Sequence, residues 1–161
     1  HENIGKRQVK APKVFVADSG LLHALLNLPR QADIDGHPKS GASWEGFALE
    51  EVLRATGDRE AYFWNTQGGA ELDLLVFVHG QRYGFEFKYA DAPSVTKGLR
   101  VAREDLKLRR ALLVHPGAKS YPLEDWAEAV AIGDLHERLR KLVGSPRAGL
   151  PGRQATSRRG R

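Results

Sequence analysis

The stretch "AELDLLVFVHGQRYGFEFKYA", residues 70 to 90, constrains the fold more than any other part of the chain. Two runs rich in Leu, Val, Phe and Tyr flank a glycine-bearing break, which is the pattern of two strands joined by a tight turn. A two-residue turn at Gly80-Gln81, glycine first, suits such a hairpin. It pairs His79 with Arg82. What should be buried sheet nevertheless carries Asp73, Glu86 and Lys88.

The rest of the chain supplies cover for that hairpin. Upstream, "KVFVADSGLLHALLNL" reads as a short strand, a turn at Asp18-Ser19-Gly20 and a short apolar helix, with Asp18 as a turn or helix cap. A loop rich in turn formers follows. Ser43 then caps a helix over residues 44 to 55. "AYFWNT" is β-prone, and "QGG" separates it from the hairpin. Downstream come a helix in "SVTKGLRVAREDLKL", an apolar strand "ALLVH", a loop "PGAKSYPLEDW", a strand "AVAIG", and a last helix "LHERLRKLV" capped by Asp134. A strand that returns after a helix implies a crossover into the same sheet. The expected fold class is therefore α/β, a mixed sheet flanked by helices, with an αβββαβ core.

Side chains alternate between the faces of a strand. In the register set by a Gly80-Gln81 turn, Asp73 opposes Lys88 and Leu75 opposes Glu86. Opposed residues share a side, so Asp73, Glu86 and Lys88 converge near the strand ends far from the turn. A fourth charge joins by helical arithmetic. Trp44, Ala48, Leu49, Val52 and Leu53 form one apolar stripe, and Glu45 falls within it. A carboxylate on that face is costly unless it is paired, protonated or bound to a cation. Carboxylates gathered at one place suit a hard divalent cation. Such a cation neutralises charge on a phosphate and activates water, and a nearby lysine steadies the developing charge. A simple cross-strand ion pair between Asp73 and Lys88 is the competing structural reading. Glu71 reads as a solvent-facing strand end, and His115 as a structural residue closing its strand.

Composition excludes several classes. Cysteine is absent, which removes disulfides and thiolate chemistry. No apolar run is long enough for a membrane span, so cytoplasm is the default expectation. The net charge of +5 is carried by Arg147, Arg153, Arg158, Arg159 and Arg161, and the residues before them balance. The expected organisation is a linker or truncated end at 1–13, a domain at 14–143 and a disordered basic tail at 144–161. Nothing matches a phosphate-binding GxxxxGK[ST] loop, so the chain alone should not hydrolyse ATP.

The sequence "ELD", a hairpin and then "EFK" resembles the signature of PD-(D/E)xK nucleases. The longer words "KAPKVFVADSGLL", "WEGFALEEVL", "YFWNTQGGAELDLLV", "FEFK" and "KGLR" are similar to those of a domain of unknown function that lies C-terminal to predicted AAA-type ATPases of bacteria and archaea. The resemblance covers about Lys10 to Leu142. It departs at Asn65, where the pattern has Arg, and at Gly46, where it has Asn. It implies a restriction-endonuclease-like fold and Mg²⁺- or Mn²⁺-dependent hydrolysis of nucleic acid. Asp73 and Glu86 would be metal ligands, Glu45 an accessory ligand, and Lys88 the residue that orients water. Lys97 and Arg100 would meet phosphate, and an upstream ATPase domain would be the partner. The alternative is a non-catalytic interaction or regulatory module of the ATPase.

Overall fold

The computed structural model describes residues 18–57 and 61–144. The expected strand before Asp18, the N-terminal linker and the tail beyond Gly144 lie outside the described residues. The first helix, α1, is Ser19–Leu25, and the Asp18 carboxylate accepts a 3.0 Å hydrogen bond from the Leu21 N–H, as a helix cap should. The segment read as loop contains a short helix, α2, Gln31–Asp35.

Helix α3 is Ser40–Thr56 and begins four residues before the expected start. Ser43 is thus not its cap. It is buried inside the first turns, and its Oγ shares a 2.7 Å hydrogen bond with His23 Nε2.

Next come β1 (Ala61–Asn65), β2 (Glu71–Val78) and β3 (Gln81–Phe87). Helix α4 (Lys97–Leu106) opens on Thr96, whose hydroxyl accepts from the Leu99 N–H at 3.1 Å. Three strands and a helix complete the described residues: β4 (Arg110–His115), β5 (Tyr121–Glu124), β6 (Ala127–Ala131) and α5 (Leu135–Val143). Strand β5 falls in the segment read as loop. Asp134 precedes α5 but makes no side-chain cap there, because its carboxylate accepts from the Ser120 hydroxyl instead.

The six strands form one sheet in the order β1-β2-β3-β4-β6-β5. The hairpin is antiparallel, and β3-β4 and β4-β6 are parallel. Helix α4 makes the expected crossover between β3 and β4. The parallel centre explains the unbroken apolar run of β4, since strands covered on both faces need no polar side.

Two clusters form the core. Ala48, Leu49 and Val52 of α3 and Leu135 and Leu139 of α5 pack on Leu74, Val76, Phe85, Phe87, Leu112 and Val114. On the other face, Leu99, Ala102 and Leu106 of α4 pack on Leu72, Leu75, Ala111 and Leu113. Each fully buried Leu or Phe stabilises the fold by about 1.5–3 kcal/mol. Gly84 lies under α4's end of the core, and a Cβ there would stand 2.8 Å from Leu108 Cδ1.

The hairpin turn differs from the expectation. Val78 pairs with Gln81, so the turn residues are His79 and Gly80, with φ of 51° and 74°. Two positive φ values are what a type I′ turn requires, and they match strand twist better than the alternatives. The register moves accordingly: Leu75 faces Gly84 rather than Glu86.

Candidate acidic site on the β2-β3 hairpin

Between β1 and β2 the register shifts: Tyr62 pairs with Leu75, but Trp64 pairs with Leu72. Asp73 and Leu74 therefore stand together against Phe63, which is a β-bulge on β2. A bulge breaks alternation and re-aims side chains. The break is visible in the core, where Leu72 and Leu75 join the α4 cluster and Leu74 joins the α3 cluster. The expectation that Glu71, Asp73, Leu75 and Phe77 line one continuous face fails here. Asp73 points instead toward the neighbouring backbone, and its Oδ2 accepts a 3.1 Å hydrogen bond from the Phe87 N–H.

Glu86 is the next residue back along β3 and is only 4% exposed. Lys88 Nζ lies 3.4 Å from Glu86 Oε2, with the lysine side chain 40% exposed. That distance gives charge attraction, but the atoms are not aligned as a hydrogen bond, and Glu86 Oε2 is buried without a hydrogen-bond partner. Burial pushes the Glu86 carboxyl above its ordinary range. The Lys88 ammonium pulls it back, and the negative charges of Asp73 and Glu71 push it further up. The structure thus brings Asp73, Glu86 and Lys88 into one electrostatic unit and adds Glu71, which had read as a solvated strand end. The signal for Glu71 was its place two residues before Asp73 on the same strand.

Glu45 sits half-buried on α3. Among the described residues, no three His, Cys, Asp or Glu side chains form a group placed to hold a metal ion. The acids assembled at this site are those of the hairpin, without a three-carboxylate cage that includes Glu45.

Residues 40–135, more than half of the chain, match the family model described as "Domain of unknown function (DUF4143)". The chain belongs to this family. The matched part of this DUF4143 domain contains Glu45, Asp73, Glu86, Lys88, Lys97 and Arg100. The chain is 45% identical over 128 residues to "Uncharacterized protein Rv2008c" of Mycobacterium tuberculosis and equally to "Uncharacterized protein Mb2031c" of Mycobacterium bovis. The alignment covers 80% of this chain and 29% of each relative, so the chain spans less than a third of the curated relatives it matches. No solved structure matches. Among the described residues, no helix of the DUF4143 domain is long and apolar enough to cross a membrane.

The other charged residues singled out lie on α4. Lys97 is its first residue and is exposed. Gly98 packs 3.6 Å, by its would-be Cβ, from Ala70 Cα, so this helix end abuts the start of β2 and hence the acids. Arg100 turns toward β5, where Glu124 accepts its hydrogen bond at 3.0 Å. Its cation is compensated there, and Arg100 holds the Glu124 carboxyl below its ordinary range.

His115 ends β4, one strand from Glu86, and is 1% exposed. Its Nδ1 accepts from the Gly117 N–H at 3.2 Å, while Nε2 has no hydrogen-bond partner. Its ring meets Tyr121 edge-on at 5.8 Å. The packing supports the structural role expected of it.

Proposed function

We propose that this domain is nuclease-like: a restriction-endonuclease-like fold whose hairpin acids support divalent-metal-dependent hydrolysis of phosphodiesters. The observation that carries the reading is the buried Glu86 carboxylate, with one oxygen lacking a hydrogen-bond partner, beside Asp73 and Lys88. A protein does not gain stability by leaving a carboxylate in that state. A hard oxygen-binding cation would relieve it, and Mg²⁺ is commonly held by only one or two carboxylates, with waters and phosphate completing its shell.

Asp73 and Glu86 would hold Mg²⁺ or Mn²⁺. Such an ion, when bound, neutralises phosphate charge and makes water a better nucleophile. Lys88, half in solvent, would orient the attacking water or steady the developing negative charge. Lys97 at the start of α4 would meet the phosphate backbone. Arg100, already held by Glu124, contributes less. Glu45 would be an accessory at most. The domain would work within a longer polypeptide carrying an ATPase, a proposal compatible with the length of its relatives.

The test is calorimetric titration of Mn²⁺ into the full chain and into Asp73→Asn. Asn keeps an oxygen for the Phe87 N–H and removes the charge, so the variant stays folded. Asp73→Ala strands that N–H and should cost about 1–3 kcal/mol in urea unfolding. The expected result is Mn²⁺ binding by the wild type and at least a tenfold loss in Asp73→Asn. No binding by the wild type, with or without added single-stranded DNA, overturns the reading. It would leave the second one, a docking module with a degenerate site, which the exposed Leu21, Leu25 and Phe47 side chains favour.

A further inference from the structure

We infer that the cavity between α1, α2, α3 and Tyr89 receives one unpaired nucleobase. The inference rests on the proposed action on nucleic acid and narrows the substrate to a single strand or a strand with a base turned out. The cavity is a cleft of about 210 Å³, room for one ring system. Trp44, Phe47 and Tyr89 wall it, and His23, Gln31 and Ser43 bring polar groups to it. Flat π faces with polar edges are what a base requires: aromatic walls stack on any base, and the polar groups meet its hydrogen-bonding rim. The His23–Ser43 hydrogen bond of 2.7 Å fixes the polar side of the cavity.

Packing explains part of this arrangement and leaves a remainder. Trp44 lies against the α3 core cluster and tilts over Tyr89, with ring centroids 5.8 Å apart. Phe47 and Tyr89 are 40% and 48% exposed, so two aromatic rings face water beside a concave site. In the chain, two of the rings stand next to charged residues singled out above. Trp44 precedes Glu45, and Tyr89 follows Lys88. Lys39, exposed at the start of α3 beside Ser40 of the lining, would meet the phosphate of a base held by these rings.

The test uses the full chain and a short single-stranded DNA carrying one 2-aminopurine, whose fluorescence falls on stacking. Binding is measured in EDTA and again in Ca²⁺, and compared with the duplex of the same sequence. The wild type should quench the probe saturably and prefer the single strand. Tyr89→Ala and Phe47→Ala should each weaken binding by about tenfold, while Tyr89→Phe should bind as the wild type does. Thermal melts confirm that the variants are folded, which the exposure of both rings favours. Equal binding by Tyr89→Ala, preference for duplex, or no binding in either medium overturns the inference. The two readings fail separately. Tyr89-dependent base binding without Mn²⁺ binding keeps the cavity and removes the metal site. Mn²⁺ binding without base binding does the reverse.

Discussion

Glu86 is held above the usual carboxylate range chiefly by burial, and Lys88 opposes that shift without cancelling it. The sign of the linkage follows. Between the ordinary and the raised pKa, the folded protein binds more protons than the unfolded chain, so stability falls as pH rises through that window. Glu86→Gln removes the buried charge. Its melting temperature at pH 7 should exceed that of the wild type, and its stability should depend less on pH above the ordinary carboxylate range. Thermal melts from pH 4 to pH 8 check both. At this scale the meeting of Glu86 and Lys88 was legible, because residues two apart along one strand keep a shared side whatever the register. The direction of Asp73 was not legible. A bulge is a property of two paired strands, and nothing in "ELDLL" by itself announces that Asp73 and Leu74 share one partner.

Among the elements, the helices show which local signals carried. Asp18 and Thr96 both accept from the N–H three residues on, as a capping side chain should. Thr96→Ala should lower stability by about 1 kcal/mol in urea unfolding. It should also loosen the first turn of α4, which carries Lys97 and sets Gly98 against the start of β2. Ser43 and Asp134 look like caps in the sequence and are not, because each spends its oxygen on a tertiary partner, His23 and Ser120. Local propensity cannot foresee such competition. Strand β5 escaped notice for a related reason. "YPLE" has a proline and mixed polarity, which an edge strand tolerates and a central strand does not.

Across the whole molecule, the mixed sheet and its helical cover followed from the order of apolar segments, since a strand returning after a helix has few places to go. The ranking of strands within the sheet has a measurable counterpart. β3 and β4 lie between paired neighbours and under helices on both faces, whereas β1 and β5 are edges. Amide hydrogen exchange should be slowest in Phe85, Leu112 and Leu113 and faster by orders of magnitude in Tyr62 and Leu123. The positive-φ pair His79 and Gly80 has a further reach. Had Gly80 and Gln81 made the bend, the two strands would have slid by two residues, and Lys88 would face Asp73 as a simple neutralising partner. With the bend one residue earlier, Leu74 takes Phe85 and the lysine is left to Glu86. The bend lies roughly 20 Å from Asp73, at about 3.4 Å per residue. A single step in which residues turn the chain decides, at the opposite end of the ribbon, whether two negative charges stand together or one of them is quenched.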